Sequence, residues 1–136
     1  SNADTPYAVG AVWTALLGAA ANAATPQAVA RGLAAGNSIF TNGPLLDLAC
    51  NQAPAGGRIR RDGKRVEVTF RAADHRGLAG VRCFVGEALV REFPARGRAV
   101  LDVVFLMDLP RRAPYVRLDA ATLDGCWAFT NPVWIE

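Results

Sequence analysis

From Ser38 onward, apolar and polar residues alternate in short runs separated by Gly, Pro, Asn and Asp. A period of two marks strands with one buried face, and the punctuating residues mark turns. Ser38–Thr41 reads as a short strand, and Leu45–Cys50 as another with Leu46, Leu48 and Cys50 on one face. Gly56-Gly57 marks a turn, Arg58–Arg60 a short edge strand with Ile59 inward, and Asp62-Gly63 a tight turn. Arg65–Ala73 alternates most clearly, with Val66, Val68 and Phe70 opposite Glu67, Thr69 and Arg71. Leu78–Val85 places Val81, Cys83 and Val85 on one face, and Gly86-Glu87 turns into Ala88–Phe93. Ala99–Leu106 is apolar at nearly every position except Asp102, the pattern of a strand covered on both faces. Tyr115–Leu123, Cys126–Thr130 and Val133–Ile135 complete the series. About eight short strands at ~8–12-residue spacing predict a mainly β chain folded as an antiparallel, immunoglobulin-like β-sandwich.

The segment before residue 38 reads differently. Aromatic and β-branched residues favour a strand over Tyr7–Leu17, after which alanine dominates. Thr25 is an N-cap type, Pro26 suits the first helical position, and Gly36 suits the position past a helix end. Val29 and Leu33 stand one turn apart between them, which predicts one short N-terminal helix over residues 26–35. Ser1-Asn2-Ala3 has the look of a cleaved expression tag and is set aside. The organisation is then a strand and helix over 4–37, followed by a β-sandwich domain over 38–136.

Composition narrows the function classes. The chain has 136 residues, 51% of them hydrophobic, enough for one domain with a true core. The formal charge is +3, carried almost wholly by arginine, since Lys64 is the only lysine. Arginine and alanine richness together fit the codon bias of a GC-rich genome. The arginines are scattered and interleaved with acids, which speaks against a nucleic-acid footprint. No apolar run reaches the ~18 residues of a membrane span.

Catalytic chemistry finds few supports. Cys50, Cys83 and Cys126 lie in apolar surroundings and read as core positions, with one disulfide left open for an exported chain. The only histidine is His75, so a zinc site or a nucleophilic triad lacks its usual partners. Ser38 has no GxSxG around it, and a hydrolase built on His75 is the least supported reading. Asp74-His75-Arg76-Gly77 reads as an exposed turn capped by Asp74. Asn42-Gly43-Pro44 could hold an anion on its backbone amides, but reads better as a turn. Trp13, Trp127 and Trp134 could stack a sugar. Trp127 and Phe129 share a strand face, which suits a core equally well, and core is the favoured reading.

Two stretches carry a resemblance. Residues 25–48, TPQAVARGLAAGNSIFTNGPLLDL, resemble a pattern found in PHP-domain metal-dependent phosphoesterases, particularly the CehA/McbA-type metallohydrolases. The matching residues include Thr25, Pro26, Gly36, Thr41, Asn42, Gly43, Pro44, Leu45 and Leu46. Ala128–Ile135, AFTNPVWI, resembles the closing strand of the same group, with Asn131 where serine is common. The resemblance implies that Gly36 and Thr41–Pro44 form a structural junction between a catalytic barrel and a β-sandwich tail. It implies divalent metal ions bound by histidines and acids of the barrel, upstream of this segment, and no catalytic or metal-binding residue here. The implied partner is that upstream barrel of the same polypeptide. A severed tail would also expose apolar surface, so either a homodimer through Tyr7–Leu17 or a mobile N-terminal segment is expected. The alternative is an autonomous carbohydrate- or ligand-binding module.

Overall fold

A computed structural model describes residues 13–16 and 38–136, with side chains from Thr41 onward. The expected helix over 26–35, with Gly36, lies outside the described residues, as does all of the expected Tyr7–Leu17 strand except its Trp13–Leu16 part. The chain is mainly β, and the described residues contain no helix, hence none long and apolar enough to cross a membrane.

The strands are β1 (Trp13–Leu16), β2 (Ser38–Thr41), β3 (Leu45–Cys50), β4 (Ala53–Pro54), β5 (Arg58–Ile59) and β6 (Arg65–Ala73). There follow β7 (Leu78–Val85), β8 (Ala88–Pro94), β9 (Val100–Asp108), β10 (Tyr115–Thr122), β11 (Trp127–Thr130) and β12 (Val133–Ile135). The described residues form twelve strands where about eight are expected, and two of them are only two residues long. β4 is unexpected. Asn51 and Gln52, at φ 46° and 70°, turn the chain immediately after β3, before the glycines that mark a turn in the sequence. The Asn51 side chain steadies that turn by accepting the Glu67 N–H at 2.9 Å.

Two sheets result. The larger has β1, β2, β11 and β10 as neighbours in that order, and β10 continues through β7 to β8. β10 also pairs β12 along its first residues, and β12 pairs β5. The break between β11 and β12 falls at Asn131-Pro132, where proline has no N–H to give the ladder. The smaller sheet has the order β4-β3-β6-β9. All pairings are antiparallel except β12 with β5, where Trp134 lies beside Arg58 in parallel. The antiparallel expectation holds for every other described pairing and fails at that one.

The predicted inward positions are buried on both sheets. Leu46, Leu48, Cys50, Val66, Val68 and Phe70 of the smaller sheet share one apolar cluster with Val81, Cys83, Val116, Leu118 and Ala128 of the larger. Phe93 joins the sheets, packing edge-on against Phe70 at 5.1 Å and tilted against Phe105 at 5.0 Å. β9 departs from expectation. Leu101 and Phe105 are buried, but Val100, Val104 and Leu106 are exposed, so only one face is covered.

Candidate functional site

Thr41–Pro44 carries the chain from β2 in the larger sheet to β3 in the smaller one. The turn closes on itself. The fully buried Thr41 hydroxyl donates to the Pro44 carbonyl at 2.6 Å and accepts the Gly43 N–H at 2.9 Å. The Asn42 N–H donates to the Trp127 carbonyl at 3.1 Å, and the Asn42 side-chain oxygen accepts the Trp127 N–H at 2.6 Å. Pro44 has no N–H. Every backbone donor of Asn42-Gly43-Pro44 is therefore committed, and the anion-binding reading of this tripeptide is overturned.

Two further connections meet the turn at the same end of the molecule. One joins β6 to β7 through Asp74–Gly77, and the other joins β10 to β11 through Leu123–Cys126. Arg76 is their centre. Its guanidinium donates to both carboxylate oxygens of Asp74, at 3.1 and 3.0 Å, to Asp124 at 3.1 Å and to the Cys126 sulfur at 3.2 Å. The Arg76 N–H adds a bond to Asp74 at 2.8 Å. Thr122 closes the far side, donating to Asp124 and accepting the Cys126 N–H at 2.9 Å.

Burial alone would raise the Asp74 pKa. The hydrogen bonds from Arg76, then the Arg76 and His75 charges, outweigh it and hold the carboxyl below the usual carboxylate range. Thr122's hydroxyl, foremost, and Arg76 hold the Asp124 carboxyl low as well. Asp74 does cap its turn as expected, but it is buried rather than exposed, because the β10–β11 turn folds over it. His75 is exposed. Gly43 is required for space. A Cβ there would collide with the Arg76 guanidinium and sit 2.7 Å from the Cys126 Cβ.

The arrangement is a structural clamp. No buried side-chain polar atom in the described residues lacks a partner. No group of three or more His, Cys, Asp or Glu among the described residues could hold a metal ion. Cys50 and Cys83 are buried in the core, and burial pushes each thiol up to about 12. They are inert as nucleophiles near neutral pH.

A second feature adjoins the clamp. Ala128 and Thr130 of β11 are buried, so Trp127 and Phe129 project from the outer face of the larger sheet. The core reading of Trp127 is corrected accordingly. The two rings stack at 5.1 Å with 7° between their planes. Ladder register places Trp127 beside Ala121, Ala121 beside Gly80 and Gly80 beside Pro94. A row that runs from a tryptophan across two small residues to a proline makes a trough, open to solvent and about 550 Å³ in volume. In the next row, Arg82 binds Asp119 through two hydrogen bonds of 2.8 and 2.6 Å.

The three tryptophans do not form one platform. Trp134 is exposed but pairs with Tyr115, its ring edge-on to that tyrosine at 5.2 Å. Tyr115 and Ala121 lie at opposite ends of β10, so Trp134 and Trp127 are about 20 Å apart at ~3.3 Å per residue. Trp13 is placed through its backbone pairing with Thr41 alone. The trough residues Gly80, Arg82, Asp119 and Ala121 escaped sequence reasoning, because only the β7–β10–β11 register brings them beside Trp127.

No model of a known family, no curated protein and no solved structure matches the chain.

Proposed function

We propose that the chain is a non-catalytic accessory domain, an immunoglobulin-like β-sandwich that follows the catalytic barrel of a PHP-type metal-dependent phosphoesterase. In this reading it packs on the barrel and shapes the approach to a metal site that lies wholly upstream. One observation carries the proposal. The two stretches that bear the family resemblance, some 85 residues apart in the chain, are a single seam: β2 pairs with β11, Thr41 beside Ala128, and Asn42 clasps both backbone groups of Trp127. Segments that match a family only at their two ends have a physical reason to be kept together if those ends build one junction. The sandwich reading rests on the single apolar core fed by the buried faces of both sheets.

The test has two parts. The isolated chain, supplied with Mn²⁺ or Zn²⁺, should not turn over phosphomonoesters or phosphodiesters. The reading frame upstream of residue 4 should encode the paired metal-binding histidines of a PHP barrel, and the longer polypeptide should be a metal-dependent esterase. Turnover by the isolated chain, or an upstream frame without those histidines, refutes the proposal.

A second reading, an autonomous carbohydrate-binding module, is favoured by the outward Trp127–Phe129 stack beside the trough and its Arg82–Asp119 pair. Flat aromatic faces next to paired charged hydrogen-bonding groups suit a pyranose ring. Titration of tryptophan fluorescence with neutral and acidic oligosaccharides tests it. Absence of any Trp127-dependent change at millimolar sugar removes it.

A further inference from the structure

The described strand edges are guarded, with one exception. β1, β4 and β5 are short, and β4 ends in Pro54. β8 carries Arg91 and Glu92, ends in Pro94, and shifts register against β7 between Cys83 and Phe84. Short length, charge, proline and bulges are the usual means of keeping an edge unpaired. β9 has no proline and no bulge, and of these devices carries only charge, in Asp102 and Asp108. It is nine residues long, forms the end of the smaller sheet, and runs in unbroken register with β6. Its two acids are neutralised from within the sheet, Asp102 by Arg71 at 2.8 Å and Asp108 by Arg65 at 3.3 Å.

The direction of its free backbone groups follows from two flanking bonds. The Leu109 N–H donates to the Lys64 carbonyl, and the Ala99 carbonyl accepts the Asp74 N–H. Both lie in the β6–β9 register, so odd-numbered residues of β9 bond β6. Val100, Asp102, Val104, Leu106 and Asp108 then point their N–H and C=O groups out of the sheet, and no described residue bonds them. The same residues include three exposed apolar side chains, with Val104 at 65% exposure.

We propose that β9 is the interface of a homodimer, pairing antiparallel with β9 of a second copy about a twofold axis at Val104. In this register Val104 faces Val104 of the copy, Asp102 faces Leu106, and Val100 faces Asp108. All outward backbone groups then meet complementary groups, over the whole strand. Inward positions face inward positions, so Leu101, Val103, Phe105 and Met107 continue one core across the axis. No acid stands opposite an acid. A register displaced by two residues to the other side would oppose Asp102 and Asp108, and like charges directly across a ladder are destabilising. A partner strand of unrelated sequence satisfies the backbone groups equally, but a second copy brings a strand of the same length whose inward positions, Leu101, Val103, Phe105 and Met107, are all apolar, so no polar side chain is buried where the two cores meet. The proposal rests on the sheet edge alone and is independent of the upstream barrel.

The experiment is sedimentation equilibrium on the 136-residue chain from about 1 μM to about 1 mM, a range that spans weak and firm dimers. The expected weight-average mass rises toward twice the monomer. Val104→Lys sets two ammonium groups against each other at the axis on an already exposed position, so the fold should persist by near-ultraviolet circular dichroism. The dissociation constant should rise at least about tenfold. Val104→Pro removes only an outward N–H, a change that edge strands tolerate, and should act likewise. Hydrogen exchange places the contact. The Val104 and Leu106 amides should gain protection with concentration, while those of Val103 and Phe105 stay protected throughout. A wild-type chain that stays monomeric over the whole range overturns the proposal. So does a dimer that neither substitution weakens, which would point to another surface such as Tyr7–Leu17.

Discussion

Arg76→Ala tests whether the clamp at the sheet crossing is what holds that end of the fold together. The Asp74 side chain is 3% exposed and that of Arg76 is 27% exposed. Truncation removes both guanidinium bonds to Asp74. One carboxylate oxygen keeps the N–H of residue 76, and the other is left without a partner. Breaking a buried pair by deleting one member costs about 3–5 kcal/mol, because the remaining charge stays desolvated. The retained backbone bond and the solvent that reaches the guanidinium reduce this, and about 2–3 kcal/mol is the expected loss. For a domain of this size that lowers the melting temperature by roughly 6–15 °C.

The pH dependence gives the argument its sign. Asp74 titrates lower in the folded chain than in the unfolded one, so its contribution is full above the unfolded carboxylate value and fades as pH falls through the folded value. Without Arg76, burial acts on the carboxyl almost unopposed, and the folded variant takes up a proton at higher pH. The penalty of Arg76→Ala should therefore shrink between about pH 7 and about pH 4. Adding Asp74→Asn should recover part of the loss. Urea unfolding followed by tryptophan fluorescence measures all three chains. A cost below about 0.5 kcal/mol near neutrality, the range of an ordinary surface substitution, refutes the clamp, as does a cost that does not change with pH.

Asn42→Ala removes the acceptor for the Trp127 N–H and should cost about 1–2 kcal/mol in urea unfolding, whereas Asn42→Asp, which keeps the acceptor, should cost less. Gly43→Ala forces a methyl into the Arg76 guanidinium and the Cys126 Cβ, so a loss of about 1–3 kcal/mol is expected from calorimetry. Cys50 and Cys83, buried with thiols pushed up to about 12, should resist a thiol reagent in the folded chain near pH 8 and react once urea unfolds it. Labelling at the unfolding rate or slower, read by mass spectrometry, is the expected outcome.

The parity of single strands was legible in the sequence, and the pairing of strands was not. Alternation in Arg65–Ala73 correctly names Val66, Val68 and Phe70 as inward, since the period-two pattern records burial directly. Alternation in Trp127–Thr130 names two faces but cannot say which one the second sheet covers. Size and aromaticity point to Trp127 and Phe129, yet the core takes Ala128 and Thr130, which lie beside the buried Ala120 and Leu118 of β10. The hydrophobic run of β9 misleads in a related way. Continuous apolar character usually means cover on both faces, whereas here the outward residues lie on an uncovered edge strand. Asp74 and Arg76 look like an exposed turn because the residues that bury them, Asp124 and Cys126, arrive from about fifty positions away.

Asn42 ties the clamp to the aromatic stack, but only through backbone atoms of Trp127. Any residue except proline at position 127 could make those two bonds. The indole ring lies on the outer face, stacked on Phe129 and apart from the shared core, so the fold's own interior does not ask for it. Stability and chemistry are thus separable at this one residue: the seam needs its amide and carbonyl, and the trough needs its ring. A large aromatic pair held outward by a rigid sheet loses little entropy on binding and presents wide apolar area, the properties that favour contact with a partner or ligand. The rigid seam beneath it places the same pair next to the sheet crossing. The ring at position 127 is where the two proposed readings of the function part: a ligand-binding role requires it, and the seam does not.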